Sequence, residues 1–117
     1  MPLFARYTLT MNTREQLRLL ILAVLARQPE HGYAIAQAIH TLSDGLLIAR
    51  EGTLYPVLHA MEGEGLIQSE EQAVGGRVRR EYQLTPKGRT TLKQSRQTWA
   101  KQVDAVQAVL GLAERPA

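Results

Sequence analysis

The stretch from Arg50 to Leu84 constrains the fold more than any other part of this chain. It begins with apolar residues at helical spacing and continues as two extended runs joined by Gly75-Gly76. Glycine supplies the positive φ angles that a tight hairpin turn requires. We therefore expect a helix somewhere within 51–64, followed by a hairpin whose strands occupy 66–71 and 79–84.

The expected helix has an apolar side and a polar side. The residues that share the apolar side are Leu54, Val57, Leu58 and Met61. Burying them turns the opposite side outward. That opposite side carries Gly52, Tyr55, Pro56, His59 and Gly63. Because Pro56 has no N–H, it is comfortable only in a first helical turn. The helix therefore begins near Thr53, or it begins earlier with a slightly strained start.

Three arginines follow the glycine turn, namely Arg77, Arg79 and Arg80. In the second strand, Tyr82 and Leu84 are expected on the core side, with Arg80 near the edge of that side. An exposed helix beside a basic hairpin suits a nucleic-acid groove, because the helix can reach base edges while the hairpin holds phosphates. The alternative is a solvated basic face that has no partner.

Composition narrows the class of protein. The chain has 117 residues, of which 44% are hydrophobic, enough for one small globular domain. Its net charge of +3 is modest, so the clustering of the cations says more than their number. The absence of cysteine excludes disulfides and thiolate metal sites. Because no apolar run is long enough for a membrane and no export signal is evident, we expect a cytoplasmic protein.

The first part of the chain predicts two helices and two less regular segments. Residues 1–12 alternate apolar and polar side chains, which is typical of an extended arm. This arm either pairs across a dimer or is a disordered tail. Helical spacing predicts helices over 13–27 and 32–42, separated by a turn that contains proline and glycine. The short branched run at 46–48 predicts a third strand beside the hairpin.

The last helix is expected over 86–111, because Thr85 is a good N-cap and Pro86 suits the first helical position. At the usual rise it would be about 39 Å long, more than a small body can cover. An apolar stripe follows one side, so we expect the same helix of a second copy to pack against it. Residues 112–117 are predicted to fray. The stripe contains Leu92, Trp99, Val103, Val106 and Leu110.

Together these elements predict a mainly α fold with a small β-hairpin. Helix, turn, helix, reading helix and two-stranded wing are the parts of a winged helix-turn-helix. The predicted organisation is an arm at 1–12, a winged helix-turn-helix domain at 13–85, a dimerisation helix at 86–111 and a tail at 112–117.

The sequence closely resembles the PadR family of bacterial transcriptional regulators in the runs LLILAVLARQPEHGYAIAQAI, EGTLYPVLHAMEGEGLI and GGRVRREYQLTPKGR. With one helix after the hairpin, it is similar to the short form of that family, whose members dimerise through this helix. The resemblance implies a homodimeric repressor that binds a near-palindromic operator in double-stranded DNA and is released by a small-molecule effector. Some short members hold flat aromatic drugs between tryptophans of the paired helices, and Trp99 matches that position.

The resemblance also implies site residues. The reading helix of the family corresponds to Glu51, Gly52, Thr53, Leu54, Tyr55 and Pro56. Its wing corresponds to Gly75, Gly76, Arg77, Arg79 and Arg80. From their positions on and before the reading helix, we add His59 and Arg50 as predicted DNA contacts. The wing departs from the family in two places: Val78 stands where a polar residue or proline is common, and Glu81 precedes a single tyrosine.

Several of these residues also have a purely structural interpretation. Tyr55 is either a DNA contact or a half-buried support for its helix, and Trp99 is either an effector contact or part of a dimer core. A winged helix can also act as a protein-interaction module without binding DNA. The three histidines lie on separate elements, and no catalytic constellation is evident. We therefore expect no metal site, no cofactor and no enzymatic activity.

Overall fold

The structure, a computed structural model, describes residues 13–112. The predicted arm at 1–12 and the tail at 113–117 lie outside the described residues. Within 13–112, no helix is both long and apolar enough to cross a bilayer. The predicted mainly α fold with a small hairpin is confirmed. In chain order the elements are α1 (Thr13–Arg27), β1 (Glu30–His31), α2 (Gly32–Leu42), α3 (Glu51–Gly63), β2 (Ile67–Val74), β3 (Arg77–Leu84) and α4 (Pro86–Leu110).

The core lies between the first three helices and the base of the hairpin. Its centre consists of Ile21, Ile35, Leu54, Leu58 and Met61, none of which has any exposed surface. Burying a side chain of this size contributes about 1.5–3 kcal/mol. Since α3 supplies three of these five residues, its apolar side is fixed against the rest of the domain.

The hairpin is longer than the sequence predicted. β2 and β3 remain paired as far as Val74 and Arg77, directly before the turn. Gly75 and Gly76 have φ angles of 57° and 79°, and both signs are those of a two-residue type I′ turn. The predicted strand ends were wrong because the residues nearest the turn are exposed on both faces, so no alternation marks them as strand.

The predicted strand at Leu46–Ile48 is wrong. The third strand is β1, which lies inside the predicted turn after α1 and pairs with β3, giving the sheet order β1-β3-β2. Leu46–Ile48 instead belongs to the connection from α2 to α3, where the Leu47 N–H donates to Ser43 Oγ at 3.0 Å. Local hydrogen bonding by Ser43 therefore takes the place of the expected ladder.

The reading helix α3 begins at Glu51, with Arg50 in an extended N-cap conformation. Of the two starts that the sequence allowed, the structure shows the earlier one. The Leu54 N–H donates to the Arg50 carbonyl at 2.8 Å, which closes the first turn. Pro56 lies inside the helix, so the Gly52 carbonyl has no N–H to accept from at position 56.

The helix α4 starts at the predicted cap and ends at Gly111, which has a φ of 75°. Thr85 Oγ1 accepts a hydrogen bond from the Gly88 N–H at 3.0 Å. The first half of α4 packs along α1, and Leu92 is only 4% exposed within the shared core. The prediction that Leu92 lies at a dimer interface is therefore wrong. The apolar stripe is used by the chain's own core at this end of the helix.

The end of α3 is held by both α1 and α4. Arg18 donates two hydrogen bonds to the Glu64 carboxylate, at 2.7 and 2.8 Å. These bonds lower the pKa of the Glu64 carboxyl below its ordinary value. Lys87 Nζ donates to the Glu64 carbonyl at 2.8 Å, and the Thr85 hydroxyl donates to the Gly65 carbonyl at 2.6 Å. The junction between the reading helix and the hairpin is consequently tied to the two helices beside it.

Gly88 marks the closest approach of α4 to this junction. A Cβ at this position would overlap the Leu66 carbonyl oxygen and lie 2.9 Å from Leu84 Cδ2. We expect Gly88→Ala to lower the free energy of unfolding by about 3 kcal/mol, because a backbone atom cannot move aside cheaply. Urea unfolding followed by circular dichroism measures this change.

Gly63→Ala is the matched control for Gly88→Ala. Gly63 is also helical, but nothing lies within 4 Å of the place that a Cβ would occupy, so the added methyl group meets open space. We expect this variant to be as stable as the parent or more stable, by up to about 1 kcal/mol. Equal stability of the two alanine variants would contradict the close packing at Gly88.

Candidate nucleic-acid interface

The outward side of α3 is free of the core. Its buried residues are the four that the sequence predicted. The exposed residues on or directly before the helix are Arg50, Glu51, Gly52, Thr53, Tyr55, Pro56, His59 and Gly63. The predicted division of the reading helix into a buried and an exposed side is confirmed.

A cleft of about 750 Å³ separates the start of α3 from the wing, as we term the β2–β3 hairpin with its turn. Side chains of β3 form one wall of the cleft, and the first turns of α2 and α3 form the other. The predicted site residues that line it are Glu51, Tyr55, Arg77, Arg79 and Arg80. The structure therefore brings the reading helix and the basic wing together. The remaining predicted residues, Arg50, Gly52, Thr53, Pro56, His59, Gly75 and Gly76, are exposed outside this lining.

The structure shows the supporting role of Tyr55 and leaves part of its side chain exposed. A Cβ built on Gly32 would lie 2.8 Å from both Cε1 and Oη of Tyr55, so the tyrosine ring rests directly on the first residue of α2. The residue is nevertheless 43% exposed. Tyr55 thus supports the contact between the two helices and still presents part of its surface to the cleft. A glycine at position 32 is needed because the ring occupies the space of a side chain there.

The three wing arginines differ in their bonding. Arg80 donates to Glu71 Oε1 at 3.1 Å and to Ser69 Oγ at 3.0 Å. The side chains of Arg77 and Arg79 are exposed and make no hydrogen bond or ion pair within residues 13–112. Two cations are therefore available to an anion, whereas the third is already balanced by a carboxylate.

The cleft also contains residues that sequence reasoning missed. Tyr33 and Gln37 of α2 line it together with the predicted residues. Tyr33 is 63% exposed, and Gln37 is exposed one helical turn later. Their spacing places them on the side of α2 opposite the buried Ile35 and Ile39. That pattern was present in the sequence, but it does not say that this side of α2 faces the wing.

Tyr82 forms the floor between the wing and α3. It is 7% exposed, and this burial raises the pKa of its phenol above the ordinary value. The nearby carboxylate of Glu62 raises the pKa further, while Arg80 opposes the shift. The floor of the cleft is therefore a neutral, buried ring, and the charged groups lie around its rim.

The histidines do not form a site together. Within residues 13–112, no three histidine, aspartate or glutamate side chains lie close enough to hold a metal ion. His40 Nδ1 lies 3.4 Å from the Leu47 carbonyl, and His59 is exposed on α3. His31 Nδ1 is buried and has no hydrogen-bond partner among residues 13–112.

A second surface lies along α4. A groove of about 320 Å³ separates α1 from α4, and Trp99 lines it with Arg18, Leu19 and Leu22. Past this groove the apolar stripe continues as exposed residues. Val106, Val109 and Leu110 are 46%, 73% and 64% exposed. The end of α4 therefore carries apolar surface that residues 13–112 do not cover.

Comparison with known proteins relates this chain to one family. Residues 21–94 match the transcriptional regulator PadR-like family. The transcriptional regulator Rv3488 of Mycobacterium tuberculosis is 41% identical over 83 residues, which is 71% of this chain and 75% of that relative. The transcriptional regulator YqjI of Escherichia coli is 33% identical over 82 residues, 70% of this chain and 38% of that longer protein.

Solved structures show the same architecture. A transcriptional regulator from Clostridium thermocellum superimposes with a TM-score of 0.75 at 27% identity, over 81% of this chain and 90% of that one. A PadR family transcription regulator from Clostridium difficile gives a TM-score of 0.68 at 28% identity, over 80% of this chain and 96% of that one. The winged-helix arrangement is thus shared over most of each chain.

The raised pKa of the Tyr82 phenol predicts how the stability of the protein changes at alkaline pH. Because its pKa is raised on folding, the unfolded chain loses this proton first as the pH rises past the ordinary value of about 10. The contribution of Tyr82 to stability is present below that pH and is lost above it. We expect Tyr82→Phe to reduce the alkaline loss of stability, measured as the free energy of unfolding in urea between neutral pH and strongly alkaline pH. Tyr33→Phe, at an exposed position, should leave that loss unchanged, and equal behaviour of both variants would contradict the assignment.

Proposed function

This chain belongs to the PadR-like family of transcriptional regulators, and we propose that it is a homodimeric repressor that binds a near-palindromic operator and is released by a small effector. The observation that carries this proposal is the cleft, in which an exposed reading helix and two free arginines of the wing share one surface. Membership of a family of transcriptional regulators supports DNA as the partner of this surface.

The exposed side of α3 is proposed to enter the major groove. Tyr55, Thr53 and His59 offer hydrogen-bonding groups to base edges. Gly52 leaves room for the backbone to approach closely, since nothing lies within 4 Å of the place that a Cβ of this residue would occupy. Arg77 and Arg79 would hold phosphates beside the groove, and Arg50 would contact the backbone where the reading helix begins. Gly75 and Gly76 at the wing tip, like Glu51 and Pro56 on the helix, belong to the same proposed surface.

A second copy is proposed to cover the apolar end of α4. The apolar stripe that begins at the buried Leu92 continues through Val103 and Val106 to Leu110, where residues 13–112 no longer cover it. Pairing two such helices buries this surface in a two-fold interface. It would also set two reading helices about 34 Å apart, as one turn of DNA between half-sites requires.

The groove between α1 and α4 is proposed to take part in effector release. Trp99 offers a flat aromatic surface there, at the junction between the domain and the proposed dimer helix. A ligand at this place would act only if it binds one arrangement of the two subunits more tightly than the other. The difference in the free energy of ligand binding between the two arrangements would then favour or disfavour the spacing of the reading helices that DNA requires.

One observation favours a different function. Leu42, Leu46 and Ile48 are 54%, 84% and 68% exposed around the end of α2, which would suit contact with another protein. A gel shift with the DNA upstream of this protein's own gene, at two salt concentrations, separates the two functions. A shift that weakens with salt supports the repressor, whereas an intact dimer that gives no shift supports the interaction module.

The first prediction of this proposal concerns salt. Arg77→Ala combined with Arg79→Ala should weaken binding to every DNA sequence, because it removes two phosphate contacts per subunit. The slope of log K against log salt concentration should become less steep by about 2 per subunit. Fluorescence anisotropy with a labelled duplex over a range of NaCl concentrations measures this slope. Lys93→Ala with Arg96→Ala, which removes the same charge from exposed positions of α4, should retain the slope; a loss of slope there instead would disprove the wing assignment.

The second prediction concerns the oligomer. Val106→Glu combined with Leu110→Glu should convert the protein from a dimer into a monomer of 13.0 kDa, because charge would be placed in the apolar interface. Sedimentation equilibrium measures the mass. Lys101→Gln with Ala105→Glu makes the same change in charge at exposed positions on other sides of α4, and this variant should remain dimeric. A parent protein that is monomeric at micromolar concentration would refute the interface.

A further inference from the structure

A chain of hydrogen bonds links the reading helix to the wing. Ser69 Oγ of β2 donates to Glu62 Oε2, on the last turn of α3, at 2.6 Å. The same oxygen accepts a hydrogen bond from Arg80 Nη1 of β3 at 3.0 Å. Arg80 Nη2 donates to Glu71 Oε1 of β2 at 3.1 Å. A hydroxyl group can donate and accept at once, so Ser69 connects one charged group on the helix to another on the wing.

The strand register explains why these groups meet. Ser69 is paired with Tyr82, and Glu71 is paired with Arg80, so all four side chains lie on the same face of the hairpin. Tyr82 is buried on that face and lies beneath the polar chain. Arg80 is therefore placed between the floor of the cleft and the outer part of the wing.

The hydrogen bonds of Ser69 contribute more to the contact between the wing and α3 than the ion pair of Arg80 with Glu71 does. The side chains of Arg80 and Glu71 are 46% and 65% exposed, and an exposed pair of this kind contributes little by itself. Ser69 and Glu62 are partly buried, and hydrogen bonds to charged groups are the stronger ones. The link through Ser69 is the part of the network that can fix a position.

We propose that Ser69 and Arg80 are positioning residues that hold the wing at a fixed place relative to the reading helix, and that Arg80 does not bind phosphate. This inference rests on the proposed DNA binding, within which it divides the wing arginines into two groups. Arg77 and Arg79 act on the DNA, while Arg80 acts on the wing. A wing held in place before binding leaves a larger fraction of molecules competent to bind.

The DNA test compares four single variants by salt-dependent anisotropy on a mixed-sequence 30-base-pair duplex. Ser69→Ala and Arg80→Ala should each weaken binding by about threefold, as expected when only about a third of the variant molecules hold the wing in place. Both variants should keep the salt slope of the parent. Arg79→Ala should flatten the slope by about 0.9 per subunit. Gln72→Ala is the control, because it removes another hydrogen bond between the strands, Gln72 Nε2 to Glu81 Oε1, that does not reach α3.

Two further variants separate positioning from a general loss of structure. Ser69→Thr keeps the hydroxyl group and should restore the affinity of the parent. The double variant Ser69→Ala with Arg80→Ala should bind no more weakly than Arg80→Ala alone, because both changes break one chain. A slope for Arg80→Ala that flattens as much as that of Arg79→Ala, or effects of the two changes that simply add, would overturn the inference.

A second measurement needs no DNA. The chain contains no cysteine, so Thr53→Cys with Ala73→Cys, both at exposed positions, allows spin labels to be placed on α3 and on the wing alone. We expect a narrow distance distribution in this background, a broader one after Ser69→Ala, and an unchanged one after Gln72→Ala. An unchanged distribution after Ser69→Ala refutes the positioning role. Failure of the parent to bind any duplex would instead count against the proposed function.

Discussion

The burial of one side of α3 is the constraint on which the rest of the surface depends. Leu54, Leu58 and Met61 have no exposed area, so rotating this helix would return several apolar side chains to water at about 1.5–3 kcal/mol each. No polar contact is needed to decide which residues face outward. The exposure of Tyr55 and its neighbours follows from the position of the apolar residues. Apart from Tyr55, whose ring rests on Gly32, the outward residues can therefore vary without changing how the helix is held.

The wing is held by a different kind of interaction. Only its base is buried, at Ile67 and Tyr82, and further out the contacts are hydrogen bonds among charged and hydroxyl groups. Such bonds exchange with water at small net cost. The reading helix is thus fixed by apolar burial, and the wing by polar links that originate on the same helix. At the same end of α3, the Arg18–Glu64 pair ties the helix to α1, so the C-terminal end of the reading helix is bonded both to the wing and to α1.

Much of this arrangement could be predicted from the sequence, and the failures have identifiable causes. Helical spacing located all four helices of residues 13–112, and the paired glycines located the turn of the hairpin. The apolar run at Leu46–Ile48 resembled a strand, but a serine in the preceding turn takes up its backbone hydrogen bond. Leu92 belongs to an apolar stripe that the chain's own core covers at one end and that residues 13–112 leave exposed at the other, and spacing alone cannot show where the body of the domain ends. The contact of Tyr55 with Gly32 joins two helices, which no local pattern encodes. The bonding of Arg80 likewise depends on strand register.

One edge of the sheet is partly open because β1 is much shorter than β3. Within residues 13–112, the two-residue β1 pairs with β3 only at Glu81 and Tyr82, so in this part of the chain the rest of that side of β3 presents backbone donors and acceptors at an open edge. Open edges invite addition of strands from other molecules, and charged side chains are the usual protection. Arg77 and Arg79 stand on this open part of β3. The cations that we propose as phosphate contacts would then also keep one hairpin from joining another, so neutralising them would lower solubility as well as the proposed recognition.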